Sequence, residues 1–263
     1  MTKLIIDDHS VYIATGSKEL DPHLPSVVFI HGTGQDHTIW VLPTRYFARH
    51  QRNVLAVDLP GHGRSGGKPL SSIEAMAAWI VKVLDATGIK TATMVGHSMG
   101  SLVAIVVAAR YADRVRALGL VGTAVPMAVS ESLLASARDN SPDAIDMLTL
   151  WGHGAQAHLG GSATPGMWML GGGRRLLERA APGVIYTDLR ACDEYRQGLN
   201  DANSITCRVL LILGQSDLLT PPRAARDLGA VLTDSEIVVL EKSGHAMLSE
   251  RPEQVLEQLI RIV

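Results

Sequence analysis

A serine with a glycine two residues away on each side is the part of this sequence best suited to chemistry. Ser98 lies between Gly96 and Gly100, after an apolar run and before a run of small apolar residues at 102–109. A sharp turn from a strand into a helix holds a serine in a strained backbone conformation, and it requires neighbours without bulky side chains. The pattern therefore predicts a nucleophile elbow with Ser98 as the nucleophile. The alternative is a serine that only caps the following helix.

The same five-residue pattern occurs a second time, with Ser65 at its centre. The surrounding stretch, residues 60–69, is rich in glycine and proline, which is typical of a loop. Only Ser98 has a strand pattern before it and a helix pattern after it, which is the context that the motif requires. We therefore assign Ser65 to a loop and Ser98 to the chemistry.

A serine hydroxyl is a poor nucleophile at neutral pH, so it requires a base and a carboxylate that orients the base. In parallel sheets such groups gather at the carboxyl ends of the strands. His245 follows the apolar run 236–240, and Asp217 follows the apolar run 207–213. We therefore expect His245 to be the base and Asp217 the orienting acid. The alternatives are a histidine on a surface loop and an aspartate that caps a turn or a helix.

The attack of a serine on an acyl carbon creates an oxyanion, which needs hydrogen-bond donors. The N–H of Met99 follows the nucleophile at a predicted helix N-terminus, where free amides and the helix dipole favour negative charge. The second predicted donor is the N–H of Thr33, in the glycine-flanked segment that follows the apolar run 26–30. Gly34 is the alternative donor, and an ordinary turn is the alternative interpretation of this segment.

The elements that must position these residues alternate along the chain. Helical patterns separate apolar runs that predict strands at 26–30, 53–57, 91–95, 115–121, 207–213 and 236–240. This alternation predicts βαβ crossovers and a mostly parallel sheet with helices on both faces. Two short strands at 3–6 and 11–15 predict an opening hairpin. A helix is predicted at 71–87, beginning with the capping pair Ser71 and Glu74.

The alternation stops between residues 123 and 206, where helical patterns occur without a strand pattern. We predict a core of residues 1–122 and 207–263 and a helical cap of residues 123–206, irregular in its glycine-rich part at 152–173. Large apolar residues of the cap suit a deformable acyl or aryl pocket. The best candidates are Trp151 and Leu148, followed by Met127 and Trp168. Packing of the cap helices onto the core is the alternative role for each.

Composition excludes several classes of function. The 263 residues carry a net charge of −2, and no basic stripe predicts nucleic-acid binding. Cys192 and Cys207 lack zinc or disulfide spacing, and the histidines form no metal motif, so we expect no metal ion. No apolar run is long enough to span a membrane, and two carboxylates follow the first apolar residues, so we expect a cytoplasmic protein without a signal peptide. Monomer and homodimer both remain open.

Taken together, these motifs resemble the α/β-hydrolase superfamily. The resemblance rests on His31-Gly32, on the segment from Asp58 to Ser65 (DLPGHGRS), on the elbow at Ser98, and on Asp217 and His245 in the family's order. It implies an eight-stranded, doubly wound α/β sheet with antiparallel first strands, a lid after the sixth strand and no cofactor. It also implies that the segment 58–65 is chiefly structural.

The resemblance specifies the chemistry better than the substrate. A serine at position 98 differs from the aspartate that the haloalkane dehalogenase and epoxide hydrolase branches use. Carbon–carbon bond hydrolases usually have Asn before the serine, where this chain has His97. We therefore expect a serine hydrolase acting on a small-molecule carboxylic ester. Carbon–carbon cleavage, lactone hydrolysis and acyl transfer are alternatives with the same triad, and a ligand-binding receptor on this scaffold is a third class.

Overall fold

The computed structural model describes residues 4–162 and 166–263, and within them a seven-stranded sheet carries the fold. The strands are β1 (Leu4–Ile6), β2 (His9–Val11), β3 (Ile13–Ala14), β4 (Ser26–Ile30), β5 (Asn53–Val57), β6 (Ala92–His97), β7 (Val115–Val121), β8 (Arg208–Gly214) and β9 (Ser235–Leu240). In the main sheet their order is β3-β5-β4-β6-β7-β8-β9. From β5 to β9 neighbouring strands are parallel, and β3 is antiparallel to β5. The predicted mostly parallel α/β sheet is confirmed.

The strand count of the main sheet differs from the eight strands expected. Strands β1 and β2 form a separate antiparallel pair, with Leu4 opposite Val11. The segment His9–Ala14 changes its partner at Tyr12: the part before it pairs with β1, and Ile13 pairs with Val57 of β5. One extended segment therefore pairs with β1 in its first half and with β5 in its second half. Strand β1 does not pair with the main sheet, so it does not add an eighth strand to it.

Helices cover both faces of the sheet. They are α1 (Val41–Arg49), α2 (Ile73–Ala86), α3 (Met99–Arg110), α4 (Glu131–Arg138), α5 (Pro142–Gly152), α6 (Ala155–His158), α7 (Met169–Leu177), α8 (Val184–Glu194), α9 (Gly198–Asn203), α10 (Arg226–Val231), α11 (Met247–Glu250) and α12 (Pro252–Ile260). Helix α2 begins one residue later than its predicted cap implies. The hydroxyl of Ser72, not of Ser71, accepts the N–H of Ala75. Among the described residues, no helix is long and apolar enough to cross a membrane.

Successive residues of the central strands enter different apolar clusters, because side chains alternate across a strand. In β4, Val28 and Ile30 pack with α2 and α3, whereas Val27 and Phe29 pack with α1 and α12 on the opposite face. All five residues of β4 are buried. Strands buried on both faces read as continuous apolar runs, which is why the sequence pattern identified them.

The six helices α4–α9 follow one another between β7 and β8, and the described part of this segment contains no strand. Helices α4 and α5 and the first half of α8 share a small apolar cluster of their own. Farther along, Cys192 of α8 and Ala202 of α9 belong to the main core cluster. The glycine-rich stretch is more regular than expected, because α6 and the beginning of α7 lie in it. The predicted cap boundaries at 123 and 206 stay a prediction.

Candidate active site

Ser98 lies at the turn from β6 into α3, and its backbone is strained. Its φ of 53° and ψ of −121° are rare for a residue with a side chain. The flanking glycines make this turn possible: a Cβ on Gly96 would overlap the Gly100 carbonyl, and one on Gly100 would overlap the Ile30 carbonyl. The Ser98 N–H donates to the Val121 carbonyl at 2.9 Å. The elbow predicted from the sequence is therefore present, with a partly buried serine at its apex.

Asp217 and His245 lie in the loops after β8 and β9 and contact each other directly. The His245 Nδ1 lies 2.8 Å from the Asp217 Oδ2. Since a carboxylate accepts, the Nδ1 carries the proton, and Nε2 of a neutral ring keeps its lone pair. Burial acts to raise the pKa of Asp217, but the charge and hydrogen bond of His245, with hydrogen bonds from Thr220, hold it at about 2. Asp217 is therefore a charged carboxylate next to the imidazole.

Thr220 is a third member of this cluster that the sequence did not reveal. Its hydroxyl donates to the Asp217 Oδ2 at 2.7 Å and lies 3.1 Å from the His245 Nδ1. The other carboxylate oxygen, Oδ1, accepts the N–H groups of Leu219 and Thr220, both at 2.8 Å. Asp217 thus closes a local turn, as the alternative interpretation expected, and binds His245 at the same time.

His97 supports the backbone of His245. Its Nε2 donates to the His245 carbonyl at 3.0 Å, and the two rings pack with centroids 4.7 Å apart. Burial, followed by the proximity of His245, lowers the pKa of His97 to about 3, so this ring is neutral at physiological pH. At the end of β7, Gly122 makes room for the His245 ring, since a Cβ there would lie 3.1 Å from Nδ1. The position of His245 therefore depends on β6 and β7 as well as on β9.

The loop after β4 contains the predicted oxyanion donor Thr33. The N–H of Gly32 donates to the Gln35 side chain at 3.1 Å, and that of Gly34 donates to the Asp188 Oδ2 at 2.9 Å. The Gln35 N–H donates to the Gly32 carbonyl at 3.2 Å. Within the described residues the Thr33 N–H has no such acceptor, so it is available to a ligand. Gly34, the alternative donor, already has a partner.

The predicted second donor, the N–H of Met99, belongs to the first residue of α3. The first N–H groups of a helix have no carbonyl partner one turn earlier. The positive end of the helix dipole lies at the same place and favours negative charge. Met99 itself is buried beneath the elbow. Its amide therefore suits an anion that forms beside Ser98.

The segment 58–65 forms hydrogen bonds with residues elsewhere in the chain, among them His37 and Tyr12, and none with Asp217 or His245 in the described residues. The Asp58 carboxylate accepts from the His37 ring at 2.8 Å and from the Arg64 N–H at 2.9 Å. Ser65, the centre of the second glycine pattern, donates its hydroxyl to the Asp58 carbonyl and accepts the Tyr12 N–H. These contacts fit the structural role that the resemblance implied.

Glu250 of α11 ties the loop of His245 to the segment between β7 and β8. Its two carboxylate oxygens accept the N–H groups of Gly244 and Gly154, both at 3.0 Å. Burial raises the pKa of Glu250, although both amides act against that rise. The carboxylate was not recognised in the sequence, because neither of its partners forms a local pattern with it.

A cavity of about 740 Å³ joins these groups: Ser98, His245 and Thr33 all line it. The four pocket candidates from the sequence also line it, namely Met127, Leu148, Trp151 and Trp168. The exposed fraction of the Trp168 side chain is 72%, whereas Trp151 is packed into the cluster of α4, α5 and α8. Further apolar lining residues that the sequence did not single out are Val129, Leu133, Leu177, Leu189 and Leu219.

Comparison with known proteins decides the family. The family model described as "Alpha/beta hydrolase family" matches residues 27–258 of the chain. The chain belongs to this family. A solved thermophilic esterase aligns with a TM-score of 0.82 and 25% identity over 98% of this chain and 94% of its own. The enol-lactonase from Burkholderia xenovorans aligns with a TM-score of 0.84 and 22% identity over 97% of each chain, which shows the shared fold.

Curated relatives of this hydrolase carry a different description. "Putative carbamate hydrolase RutD" of Escherichia coli is 29% identical over 241 residues, covering 87% of each chain. The acetyltransferase component of an acetoin cleaving system from Cupriavidus necator is 39% identical over 97 residues, 36% of this chain and 26% of its own. The chain is therefore a hydrolase of the α/β family. Its relatives are named for reactions at different kinds of bond.

Proposed function

We propose that this α/β hydrolase cleaves small carboxylic esters through an acyl-enzyme on Ser98. The main support for this proposal is the hydrogen-bonded cluster of Asp217, Thr220 and His245. The His245 imidazole lines the same cavity as the elbow serine. A proton on Nδ1 leaves Nε2 available as a base. The strained backbone of Ser98 is typical of a nucleophile at such a turn.

In the first half of the reaction, the Ser98 hydroxyl attacks the ester carbonyl while the His245 Nε2 takes its proton. The oxygen of the tetrahedral intermediate accepts hydrogen bonds from the Thr33 and Met99 amides. The intermediate then collapses, and His245 returns the proton to the departing alcohol. Asp217 stabilises the imidazolium that exists between these two proton transfers.

In the second half, His245 takes a proton from water, which attacks the acyl carbon bound to Ser98. The same two amides stabilise the second oxyanion. Collapse releases the carboxylic acid, and the proton on His245 restores the serine hydroxyl. One base therefore serves both halves, and the cycle requires no group beyond the side chains and amides described above.

The cavity favours an ester with an apolar acyl or alcohol group. Its volume of about 740 Å³ and its lining by residues such as Leu148, Trp151 and Leu189 suit a small molecule with an apolar group beside the scissile bond. Hydrolysis of a carbamate is the second candidate, and the likeness to the Escherichia coli protein favours it. An unsubstituted carbamate has a small polar amino group where an ester has its acyl chain, so only its alkoxy group could cover this apolar surface.

The test is a series of p-nitrophenyl acetate, butyrate and octanoate, with an alkyl carbamate as the competing substrate. We expect ester turnover by the wild-type protein and a loss of kcat on the order of a millionfold in Ser98→Ala. Ser65→Ala is the matched control, because it removes a serine from the same pattern and should retain kcat per folded molecule. Near-normal ester turnover by Ser98→Ala would show that the nucleophile is wrong, and turnover of the carbamate alone would favour the second candidate.

A further inference from the structure

Helix α8 contacts the loop after β4, residues 31–36, which we call the oxyanion loop. The contact is made by three residues on one face of the helix, spaced three and four positions apart. A Cβ on Gly34 would lie 2.8 Å from Cγ1 of Ile185, so this helix packs directly against the glycine. Asp188 accepts the Gly34 N–H at 2.9 Å, and the Cys192 thiol lies close to the Thr33 side chain. Residues at this spacing share a helix face, so one surface of α8 holds the loop.

Asp188 also binds a histidine of the loop after β5. The same oxygen, Oδ2, lies 2.9 Å from the His62 Nε2, and the His62 Nδ1 donates to the Pro60 carbonyl at 3.0 Å. Burial acts to lower the pKa of His62, but the charge and hydrogen bond of Asp188 raise it above its ordinary value. Both ring nitrogens therefore act as donors, and the fully buried Asp188 side chain is paired with an imidazolium.

The backbone at Gly34 needs such an anchor. Its φ of +63° lies in the left-handed region, where glycine has more conformational freedom than any other residue. The peptide unit between Thr33 and Gly34 is planar, so a bond to the Gly34 N–H also fixes the Thr33 carbonyl. Without an acceptor, this buried amide would be left unpaired and the peptide could reorient to find another partner.

We propose that Asp188 is a positioning residue that holds the oxyanion loop so that the Thr33 N–H faces the reacting oxygen. This inference rests on the proposed function, since it assigns a role within the same ester hydrolysis. Asp188 does not touch the substrate. It acts through the Gly34 amide, whose N–H is the alternative to the Thr33 N–H as an oxyanion donor.

The other carboxylate oxygen provides a conservative variant. Oδ1 of Asp188 is buried and accepts no hydrogen bond from the described residues. An asparagine can therefore present its carbonyl oxygen to Gly34 and His62 without losing a bond at Oδ1. Because hydrogen bonds to charged acceptors are about twice as strong as neutral ones, Asp188→Asn should hold the loop less firmly than the native residue.

The test compares Asp188→Ala and Asp188→Asn with the wild-type protein, using p-nitrophenyl butyrate and butylboronic acid, which forms a tetrahedral adduct on a serine. All rates are divided by the number of sites that a fluorophosphonate labels. Loss of one oxyanion donor costs about a hundredfold to a thousandfold in kcat, so a misplaced donor should cost about tenfold to a hundredfold in Asp188→Ala. In Asp188→Ala we expect KM to change by less than about twofold, and the boronate inhibition constant to rise in parallel with the loss of kcat. In Asp188→Asn we expect kcat to fall only about threefold to tenfold.

Asp201→Asn is the matched control, an acid-to-amide change on the neighbouring helix α9. Asp201 accepts the Tyr195 hydroxyl at 2.7 Å and has no hydrogen bond with the oxyanion loop in the described residues. A purely structural role for Asp188 would lower the melting temperature and the number of labelled sites but leave kcat per site unchanged. The inference is overturned if both variants keep the wild-type kcat per site and the wild-type boronate inhibition constant. If Asp188→Ala does not fold, the same result in Asp188→Asn alone overturns it. Failure of the fluorophosphonate to label the wild-type Ser98 would instead contradict the proposed function.

Discussion

The two sides of the cavity are built from different parts of the chain. The acid–base side consists of Asp217, Thr220 and His245, which all lie in loops that follow neighbouring strands β8 and β9. The oxyanion side consists of the loop after β4, and its Gly34 amide is held by Asp188 from α8. On the first side the key hydrogen bond joins residues 28 positions apart, whereas on the second it joins residues 154 positions apart.

In the proposed mechanism, this difference separates proton transfer from charge stabilisation. Adjacent strand ends bring together the loops of the proposed base and its acid, and Glu250 ties the His245 loop to Gly154. The loop of the proposed oxyanion donor is held in addition by a helix from the segment between β7 and β8. The same segment supplies most of the apolar cavity wall. A change in that segment can therefore alter both the substrate that is accepted and the rate at which it reacts.

Asp217→Asn should have the largest effect on the acid–base side. The amide cannot hold the His245 Nδ1–H as the carboxylate does, so the ring adopts the wrong tautomer and kcat should fall about ten-thousandfold. Steady-state kinetics with p-nitrophenyl butyrate measure this loss. A decrease below tenfold would show that Asp217 only closes its local turn.

Asp217 should also make stability depend on acidic pH. Its pKa is about 2 in the folded protein and 3.8 in an unperturbed aspartate, so the folded state favours the charged form. This stabilisation, about 2 kcal/mol, is fully present above pH 4 and is lost as the pH falls towards 2. Urea unfolding between pH 5 and pH 2 should show a weaker decline in Asp217→Asn than in the wild type. Parallel declines would contradict the assignment.

Thr220→Val should have a smaller effect, because it removes only one of the hydrogen bonds to Asp217. The hydroxyl bond is worth about 1 kcal/mol, so kcat should fall roughly threefold to tenfold. Thr220→Ser keeps the hydroxyl and is expected to stay within about twofold of the wild type. A loss in Thr220→Ser without one in Thr220→Val would show that the methyl group, not the hydroxyl, is what matters.

Substitutions in the cavity wall should have the smallest effects and depend on the substrate. Trp151→Ala removes apolar surface, so KM for the octanoate ester should rise about fivefold to twentyfold while KM for the acetate stays within about twofold. Trp168→Ala, at the exposed edge of the cavity, should raise the octanoate KM less. An equal rise in KM for both esters in Trp151→Ala would indicate that this residue stabilises the fold and does not contact the substrate.

The sequence could predict the acid–base side because its signals are local. Gly96 and Gly100 mark the elbow, and Asp217 and His245 each follow an apolar run that reads as a buried strand. The strands and their parallel arrangement were predicted for the same reason. Thr220 was within reach, since an aspartate followed three residues later by threonine can form a hydrogen-bonded turn.

The role of Asp188 could not be predicted, because its partners are distant and form no pattern with it. The same holds for Glu250, which joins Gly244 to Gly154. The strand count was wrong at the first hairpin, where pairing changes at Tyr12 and no sequence feature marks the change. Contacts that depend on how the helices between β7 and β8 pack onto the sheet are thus visible only in the structure.

The most direct test of the whole site is the mass of the protein after reaction with a fluorophosphonate, followed by peptide mapping. We expect one adduct per molecule, located on Ser98, with labelling abolished in Ser98→Ala and strongly slowed in His245→Ala. An adduct on another residue, or an unlabelled Ser98 in protein that hydrolyses esters, would contradict this expectation.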